Sequence, residues 1–505
     1  MPENWIFRSV SSEETGQGIE SKGNNTEDKE LELINHLLSG EIPTDDDWNN
    51  QEHTELCKLE TQAPRLEPTP EQCANLSIVD EGIRDGLHGI PEYPDITAIL
   101  TYIEKVYLLG VRDITVGIYT GESRINDSIM IILSEMQKNF PDIRPIVLSL
   151  TTIPSIEWLA RCREKNENLN AIVFRGSAPF RMMVENWTRE KILEDMSIAV
   201  YTAAHNLDVR VIGATENTTQ TPPDFLKDII EVQATNGAQI FCIADTIGTA
   251  RMQGAHNIVR FVKSVLYYLK ANGKIDQDVL IDWHGHMDLG LGTANALVAA
   301  AAGANRIHTV CRGIGERAGN VPMEEILLSL YKITENTNAQ LPWNLKMLVE
   351  VLESYNEMTR VPVRTHGAMG SRAWDTSLGI HTAAMEKGHT LVERARQEAG
   401  ESVDIATSQQ YQELATKLEQ MVESIYSSVN PHIFGAQHRI HIGPWSGRSS
   451  VKVAYRQYVE GNPNLLKKFR DIDADAALSW AKIIGKEMSQ EYIRAYFQSI
   501  IERPD

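Results

Sequence analysis

Cysteine is scarce in this 505-residue chain, and its five copies lie far apart, at Cys57, Cys73, Cys162, Cys242 and Cys311. None forms a C-x-x-C pair, and an odd, dispersed set suits a reducing compartment better than a disulfide framework. Long apolar runs are missing as well: nothing approaches the roughly 18 consecutive apolar residues of a membrane-spanning helix. The opening MPENWIFRSVSS lacks a basic start followed by an apolar stretch, so it does not read as a secretory signal. Positive charge is in deficit, and a net charge of −21 argues against nucleic acid or an anionic membrane as the main partner. These absences leave a soluble, cytoplasmic protein as the expectation.

The negative charge is unevenly placed. Residues 1–75 hold 17 Asp/Glu against 5 Lys/Arg, so −12 of the −21 falls there and says little about a substrate of the remainder. Polar clusters such as SKGNNTEDKE and TDDDWNNQEHTE predict an acidic, largely flexible extension over 1–72. Within it, Leu31, Ile34, Leu37 and Leu38 of LELINHLLSG share a helical face that Gly40 can end. That segment reads as a short helix packed on the main body or a second subunit, or alternatively as a docking motif for another protein.

From about residue 75 the pattern changes to short β-rich apolar runs alternating with amphipathic helical stretches. The runs are NLSIVDEG, DITVGIY, PIVLSL, AIVFRGS, VRVIGATE, QIFCIADT, VLIDWHGH and RIHTVCRGIG. Several are apolar on both faces, as strands are when helices cover the outside and side chains fill the inside. Eight such units over 73–338 predict an α/β fold, a (β/α)₈ TIM barrel, with an open doubly wound sheet as the alternative. After residue 338 the alternation stops, and 339–505 reads as a mainly helical accessory region serving as substrate lid or dimerisation element.

In such a barrel chemistry sits at the C-terminal ends of the strands, and ionisable residues collect there. Strand one ends in Asp80, Arg84 and Asp85, strand five in Glu216, strand six in Asp245-Thr246, strand seven in His284 and His286, and strand eight in Glu316 to Asn320. Two histidines two apart at a strand end leave the same face. With Asp85 arriving from strand one they form a three-ligand set with open positions, suited to a catalytic divalent ion. On its own an H-x-H is more often a hydrogen-bonded pair than a metal site.

The surrounding segments carry a resemblance. IDWHGHMDLGLGTANALVAAAAGA followed by GIGERAGN resembles the signature of the 2-isopropylmalate synthase and homocitrate synthase group, within the superfamily that includes 3-hydroxy-3-methylglutaryl-CoA lyase. Asp80-Glu81-Gly82-Ile83-Arg84-Asp85-Gly86, Ala244-Asp245-Thr246-Ile247-Gly248, Ser377-Leu378-Gly379-Ile380-His381 and Gly443-Pro444-Trp445-Ser446-Gly447-Arg448 are similar to further segments of that group. The resemblance implies a divalent metal (Mg²⁺, Mn²⁺ or Zn²⁺) on Asp85, His284 and His286, with Asn320 a fourth ligand or a group just behind the ligands. It also implies that Arg84 meets the substrate carboxylate or developing enolate, that Thr246 bonds the carboxylate of a 2-oxo acid, and that Asp80 and Tyr426 contribute to substrate binding. Glu216 and Glu316 would be catalytic, and His381 would help proton transfer, reaching the site from another subunit.

The implied reaction is a Claisen-type condensation of an acyl-CoA, expected to be acetyl-CoA, with a 2-oxo acid. A carbon–carbon lyase or aldolase, and a weakened barrel serving as a binding or regulatory protein, are the other readings. The chain departs from the group where the substrate is read: Leu87-His88 follows Arg-Asp-Gly, Thr115 stands where strand two carries a glutamate, and the lyase's cysteine loop is absent. Cys311 is expected in mid-strand as a core residue. A homodimer is implied, which would explain a helical segment beyond 340 with no core of its own.

Overall fold

Strands that are apolar on both faces need cover on both sides, and this chain supplies it by following strand with helix. The computed structural model describes residues 44–49, 65–121, 123–402 and 404–503. Eight parallel strands close into a barrel in chain order: β1 (Ser77–Asp80), β2 (Asp113–Ile118), β3 (Arg144–Leu150), β4 (Asn170–Gly176), β5 (Arg210–Glu216), β6 (Ala238–Asp245), β7 (Leu280–Gly285) and β8 (Arg306–Thr309). The β1–β8 ladder, Ser77 opposite Arg306 through Asp80 opposite Thr309, closes the ring and excludes the open sheet. Around it lie α1 (Ile96–Leu109), α2 (Arg124–Asn139), α3 (Ile153–Arg163), α4 (Arg189–Tyr201), α5 (Pro223–Thr235), α6 (Met252–Ala271), α7 (Gly292–Ala302) and α8 (Met323–Thr334).

Helix α1 shows the local logic. The Asp95 carboxylate accepts from Ala98 N and caps the first turn, and Gly110, at φ 107°, ends the last one in a conformation that glycine adopts without strain. Between them Ile99, Tyr102, Ile103 and Val106 recur at helical spacing and are fully buried. Each such burial is worth roughly 1.5–3 kcal/mol, so the face, more than the propensity of the segment, holds the helix in place.

Strand alternation sorts the rest of the core. Ile78, Ile114, Trp283 and Ile307 point outward into the layer between strands and helices. Val79, Ile146, Leu148, Ile172, Ile212, Ala214, Ile240 and Cys242 point inward and form a separate apolar cluster. Strand β8 is shorter than RIHTVCRGIG suggests. Cys311 is not in mid-strand: it opens a single 3₁₀ turn, because Arg312 and Gly313 take positive φ (62° and 58°) that no pleated strand accommodates. The thiol is buried, 3.3 Å from Tyr102 Oη.

Past the barrel, α9 (Leu348–Thr359) packs along α1, and Tyr355 Oη donates to Gly82 O at 3.0 Å. Then come β9 (Asp375–Thr376), α10 (Gly379–Glu401), α11 (Ile405–Glu423), β10 (Arg439–Ile440), α12 (Arg448–Tyr458), α13 (Asp471–Ile484) and α14 (Gln490–Ile501), with β9 and β10 paired in parallel. This region does have a core of its own, contrary to the expectation from its sequence. Val392, Val422, Ile442, Tyr455 and Phe497 belong to a buried cluster separate from that of the barrel, drawn from segments too far apart in sequence to read as one face.

Part of the acidic extension is pinned to the barrel. Trp48 is 1 % exposed, donates its indole N–H to Thr221 O at 2.9 Å and leans on Phe261 with ring centroids 5.1 Å apart. Asn49 Oδ1 accepts from Arg251 N at 2.7 Å, and Asp45 Oδ1 accepts from Phe180 N at 2.9 Å. Residues 44–49 therefore tie together the loops that follow β4, β5 and β6. The LELINHLLSG segment lies outside the described residues, among which no helix is long and apolar enough to cross a membrane.

Candidate active site

The turn after β1 sets the first side of the site. A 3₁₀ helix over Asp85–Gly89 directs Arg84, Asp85 and His88 to the barrel mouth. Gly86 is required for it, since a Cβ there would sit 2.1 Å from Tyr355 Oη and 2.9 Å from Val310 Cγ1. After β8 the GIGERAGN segment folds back beside β7 through a bridge between His286 and Asn320. Gly315 takes φ 135°, and a Cβ on it would lie 2.3 Å from Asn320 Nδ2. The close-packed glycines thus bring Asn320 up against His286.

Asp85, His284 and His286 converge. His284 Nε2 is 3.2 Å from His286 Nε2 and 3.4 Å from Asp85 Oδ2, and His286 Nε2 is 3.9 Å from that same oxygen. Burial, then the neighbouring His286, pushes His284 well below the usual imidazole range, and burial also lowers His286. Burial pulls the Asp85 carboxyl upward, but Arg84, His88 and the two imidazoles outweigh it and hold it well below the usual carboxylate range. Two neutral imidazoles and an ionised carboxylate aimed at one point fit the donor set of a divalent cation. Asn320 Nδ2 donates to Ile314 O at 3.1 Å, so its oxygen is the atom it can offer to such an ion.

These groups rim a cavity of about 220 Å³ at the C-terminal ends of the strands. Ile118, Leu148, Ile172, Phe174 and Ala214 form its apolar wall, and Glu216, Thr246, Glu316 and Arg317 join Arg84 on the polar side. Thr246 Oγ1 accepts from Asn217 N at 2.9 Å, leaving its hydroxyl hydrogen to donate elsewhere. Arg84 is held by Glu81 on one side and by Asp85 at 3.1 Å on the other, and its Nε is buried with no partner. Arg317 bonds Asp288 at 2.9 Å and Thr246 O at 2.5 Å, which ties the loop after β8 to the loop after β6.

The structure brings Arg84, Asp85, Glu216, Thr246, His284, His286 and Glu316 to one cavity, with Asn320 paired to His286. It does not bring Asp80, His381 or Tyr426 there. Asp80 points outward, where Tyr102 Oη donates to it at 3.0 Å; burial pushes its carboxyl up to about 7, against bonds from Gly82 N and Tyr102. His381 and Tyr426 stack on each other with ring centroids 3.9 Å apart, away from the cavity lining of their own chain. Sequence reasoning missed Glu81, His308 and Arg317. The alternation of β1 and β8 could have found the first two, because Val79 and Arg306 face inward and so do residues two further on. A larger cavity of about 270 Å³ lies between α10 and α12. The cations that line it are paired at home, Arg456 with Glu393 and Lys452 with Asp471 at 3.1 Å and Glu386 at 3.5 Å, so it presents no free charge to a ligand.

A family model described as HMGL-like matches residues 75–354. Among curated proteins, a 2-isopropylmalate synthase of Staphylococcus carnosus is 32 % identical over 263 residues, covering 48 % of this chain and 49 % of the relative. A 2-isopropylmalate synthase of Pyrococcus abyssi is 29 % identical over 252 residues, covering 48 % and 50 %. A putative (R)-citramalate synthase of Methanosarcina acetivorans is 30 % identical over 264 residues, covering 52 % and 44 %. The chain spans about half the length of the curated relatives it matches. Among solved structures, a hydroxymethylglutaryl-CoA lyase from Pseudomonas aeruginosa is 17 % identical and aligns over 58 % of this chain and 94 % of its own, with a TM-score of 0.48.

Proposed function

Since the chain belongs to the HMGL-like family, with all eight barrel strands inside the matched residues, we propose that it is a metal-dependent enzyme that condenses an acyl-CoA, such as acetyl-CoA, with a 2-oxo acid. The observation that carries this reading is the convergence of Asp85, His284 and His286 on the rim of an apolar-walled cavity. A divalent ion on those three groups, with Asn320 as a fourth ligand or just behind them, would make the keto carbon of the 2-oxo acid electrophilic.

The chain's own residues divide the remaining work. Arg84, on the cavity lining, offers a fixed fork of donors to a planar carboxylate or enolate oxygen. The Thr246 hydroxyl donates to the carboxylate of the oxo acid. Ile118, Leu148, Ile172, Phe174 and Ala214 surround an aliphatic substituent and keep water from it. Glu216 and Glu316 are the rim carboxylates able to take the proton from the carbon beside the thioester. That carbon then bonds to the keto carbon, the keto oxygen gains a proton, and water hydrolyses the thioester to give a 2-alkylmalate and free CoA. His381 and Tyr426 can serve proton transfer only from a second copy of the chain, so this reading includes a homodimer.

Purified protein incubated with acetyl-CoA, a panel of 2-oxo acids and Mg²⁺, Mn²⁺ or Zn²⁺ should release CoA thiol with one oxo acid. Release should stop with chelator and in His284→Ala. Thiol release with no oxo acid, cofactor or acyl-CoA combination, from protein that demonstrably binds the metal, would refute the condensation.

A further inference from the structure

Glu81 stands one residue past the end of β1 and is 1 % exposed. A carboxylate so buried is costly unless every lone pair is used, and here each oxygen has work. Oε2 accepts from the Arg84 guanidinium. Oε1 lies 2.6 Å from His308 Nδ1 and 3.7 Å from His284 Nδ1. The other nitrogen of His284, Nε2, is the one that faces Asp85 and His286. Glu81 therefore sits behind the His284 ring, on the side away from the point where the three candidate ligands converge.

His308 continues the chain downward. Its Nε2 is 3.1 Å from Asp282 Oδ2, and Arg306 holds Asp282 through two bonds of 2.8 and 2.6 Å. Arg306 also reaches Asp113 at 3.0 Å, and Arg144 grips Asp113 at 2.9 and 2.6 Å. From Arg144 to Asp85 the side chains form one unbroken ladder, alternating cation and anion except at the His308 imidazole. It runs from the starts of β2, β3 and β8 to the barrel mouth. No member can shift without unpairing its neighbour, so the ladder fixes the Glu81 carboxylate in place.

A metal-bound imidazole needs its remote N–H held, because that bond selects the tautomer and the ring angle that aim the other nitrogen at the ion. We propose that Glu81 is the positioning residue for the metal site: it holds His284 with the proton on Nδ1 and Nε2 free for the ion, and it orients Arg84 with its other oxygen. His308 and Asp282 hold Glu81 in turn. This inference rests on the reading of Asp85, His284 and His286 as metal ligands.

The test is Co²⁺ binding to the full-length protein by competition with a chelating dye, alongside the visible absorption spectrum of the bound ion. Glu81→Gln keeps the size of the side chain and should weaken Co²⁺ binding by roughly 10–100-fold, the usual cost of losing the partner behind a ligand. The visible bands should shift, and Glu81→Asp should recover part of the affinity. His308→Gln, which leaves Glu81 and all three ligands intact, should weaken binding by a smaller factor, and it carries the test should Glu81→Gln fail to fold. Wild-type affinity and an unchanged spectrum in the folded variants would overturn the proposal. If the wild-type protein binds no Co²⁺, or binds it as well in His284→Ala, the underlying metal-site reading fails instead.

Discussion

The two sides of the barrel interior are built on opposite principles. On β3 to β6, above the ladder's lower end at Arg144, the inward residues Ile146, Leu148, Ile172, Ile212, Ala214, Ile240 and Cys242 touch one another and need only the right volume. On β1, β2, β7 and β8 the inward residues Glu81, Asp113, Asp282, His284, Arg306 and His308 each need a particular partner. The apolar side tolerates change and makes space, whereas the ionic side fixes positions and can lose them all at once. In the proposed function the first accommodates the substrate's aliphatic part and the second holds the ion that activates its keto group. The difference assigns substrate choice to one wall and chemistry to the other.

The sharpest way to break that comparison is to remove a proposed ligand. Asp85→Ala and His284→Ala should each lower CoA release by more than about 100-fold, beyond the range for groups behind the ligands, in protein whose far-UV circular dichroism remains that of the wild type. Equal losses from Ile172→Val would erase the distinction between the two sides.

Stability should divide along the same line. Arg306 is 4 % exposed between Asp282 and Asp113, and Arg306→Met should cost roughly 3–5 kcal/mol, as when one member of a buried ion pair is lost. Ile212→Val, in the apolar cluster, should cost about 0.5–1.5 kcal/mol. Denaturant midpoints of the two variants, compared with the wild type, measure the contrast, and a reversed order would contradict it.

Substrate choice should move from the apolar wall alone. Ala214→Val adds two methyl groups to the cavity and should shift preference toward a shorter 2-oxo acid by roughly tenfold in kcat/KM, the scale on which one methylene is discriminated. A competition assay with two chain lengths reads it, and a shift produced as readily by Asp282→Asn would place specificity elsewhere.

How much of this was legible in the sequence follows from the same geometry. The strands were readable because β-branched runs such as DITVGIY and RPIVLSL recur between amphipathic helices. His284, His286 and Asp85 were readable as a strand-end set, and the family resemblance agreed. The resemblance put Asp80 among the substrate-binding residues, whereas its side chain turns outward to Tyr102. Val79 belongs to the inner cluster, so alternation turns Asp80 outward and Glu81 inward, but the strand is only four residues long and its parity is hard to fix without neighbours. The ladder from Arg144 to Asp85 joins residues up to 227 positions apart along a single contact, and no local pattern announces such pairing. His381 meets Tyr426 across α10 and α11 for the same reason.

A further expected effect concerns Asp80 and is a matter of pH. Burial raises its carboxyl from 3.8 to about 7 in the folded protein, so the folded state binds the proton more tightly than the unfolded chain does. That contribution to stability is fully present below the unfolded value and is lost as pH rises through about 7. Asp80→Asn cannot ionise, so its melting temperature should gain on the wild type between pH 5 and pH 7.5, by a few degrees. A difference that stays constant across that range would show that Asp80 does not titrate where its burial puts it.

The most direct test of the central claim is X-ray absorption at the zinc edge of Zn²⁺-loaded protein. Two imidazole nitrogens at about 2.0–2.1 Å together with oxygen donors are expected, falling to one imidazole in His286→Ala. A spectrum without histidine ligation, or one that His286→Ala leaves unchanged, would contradict a metal centre at the mouth of this barrel.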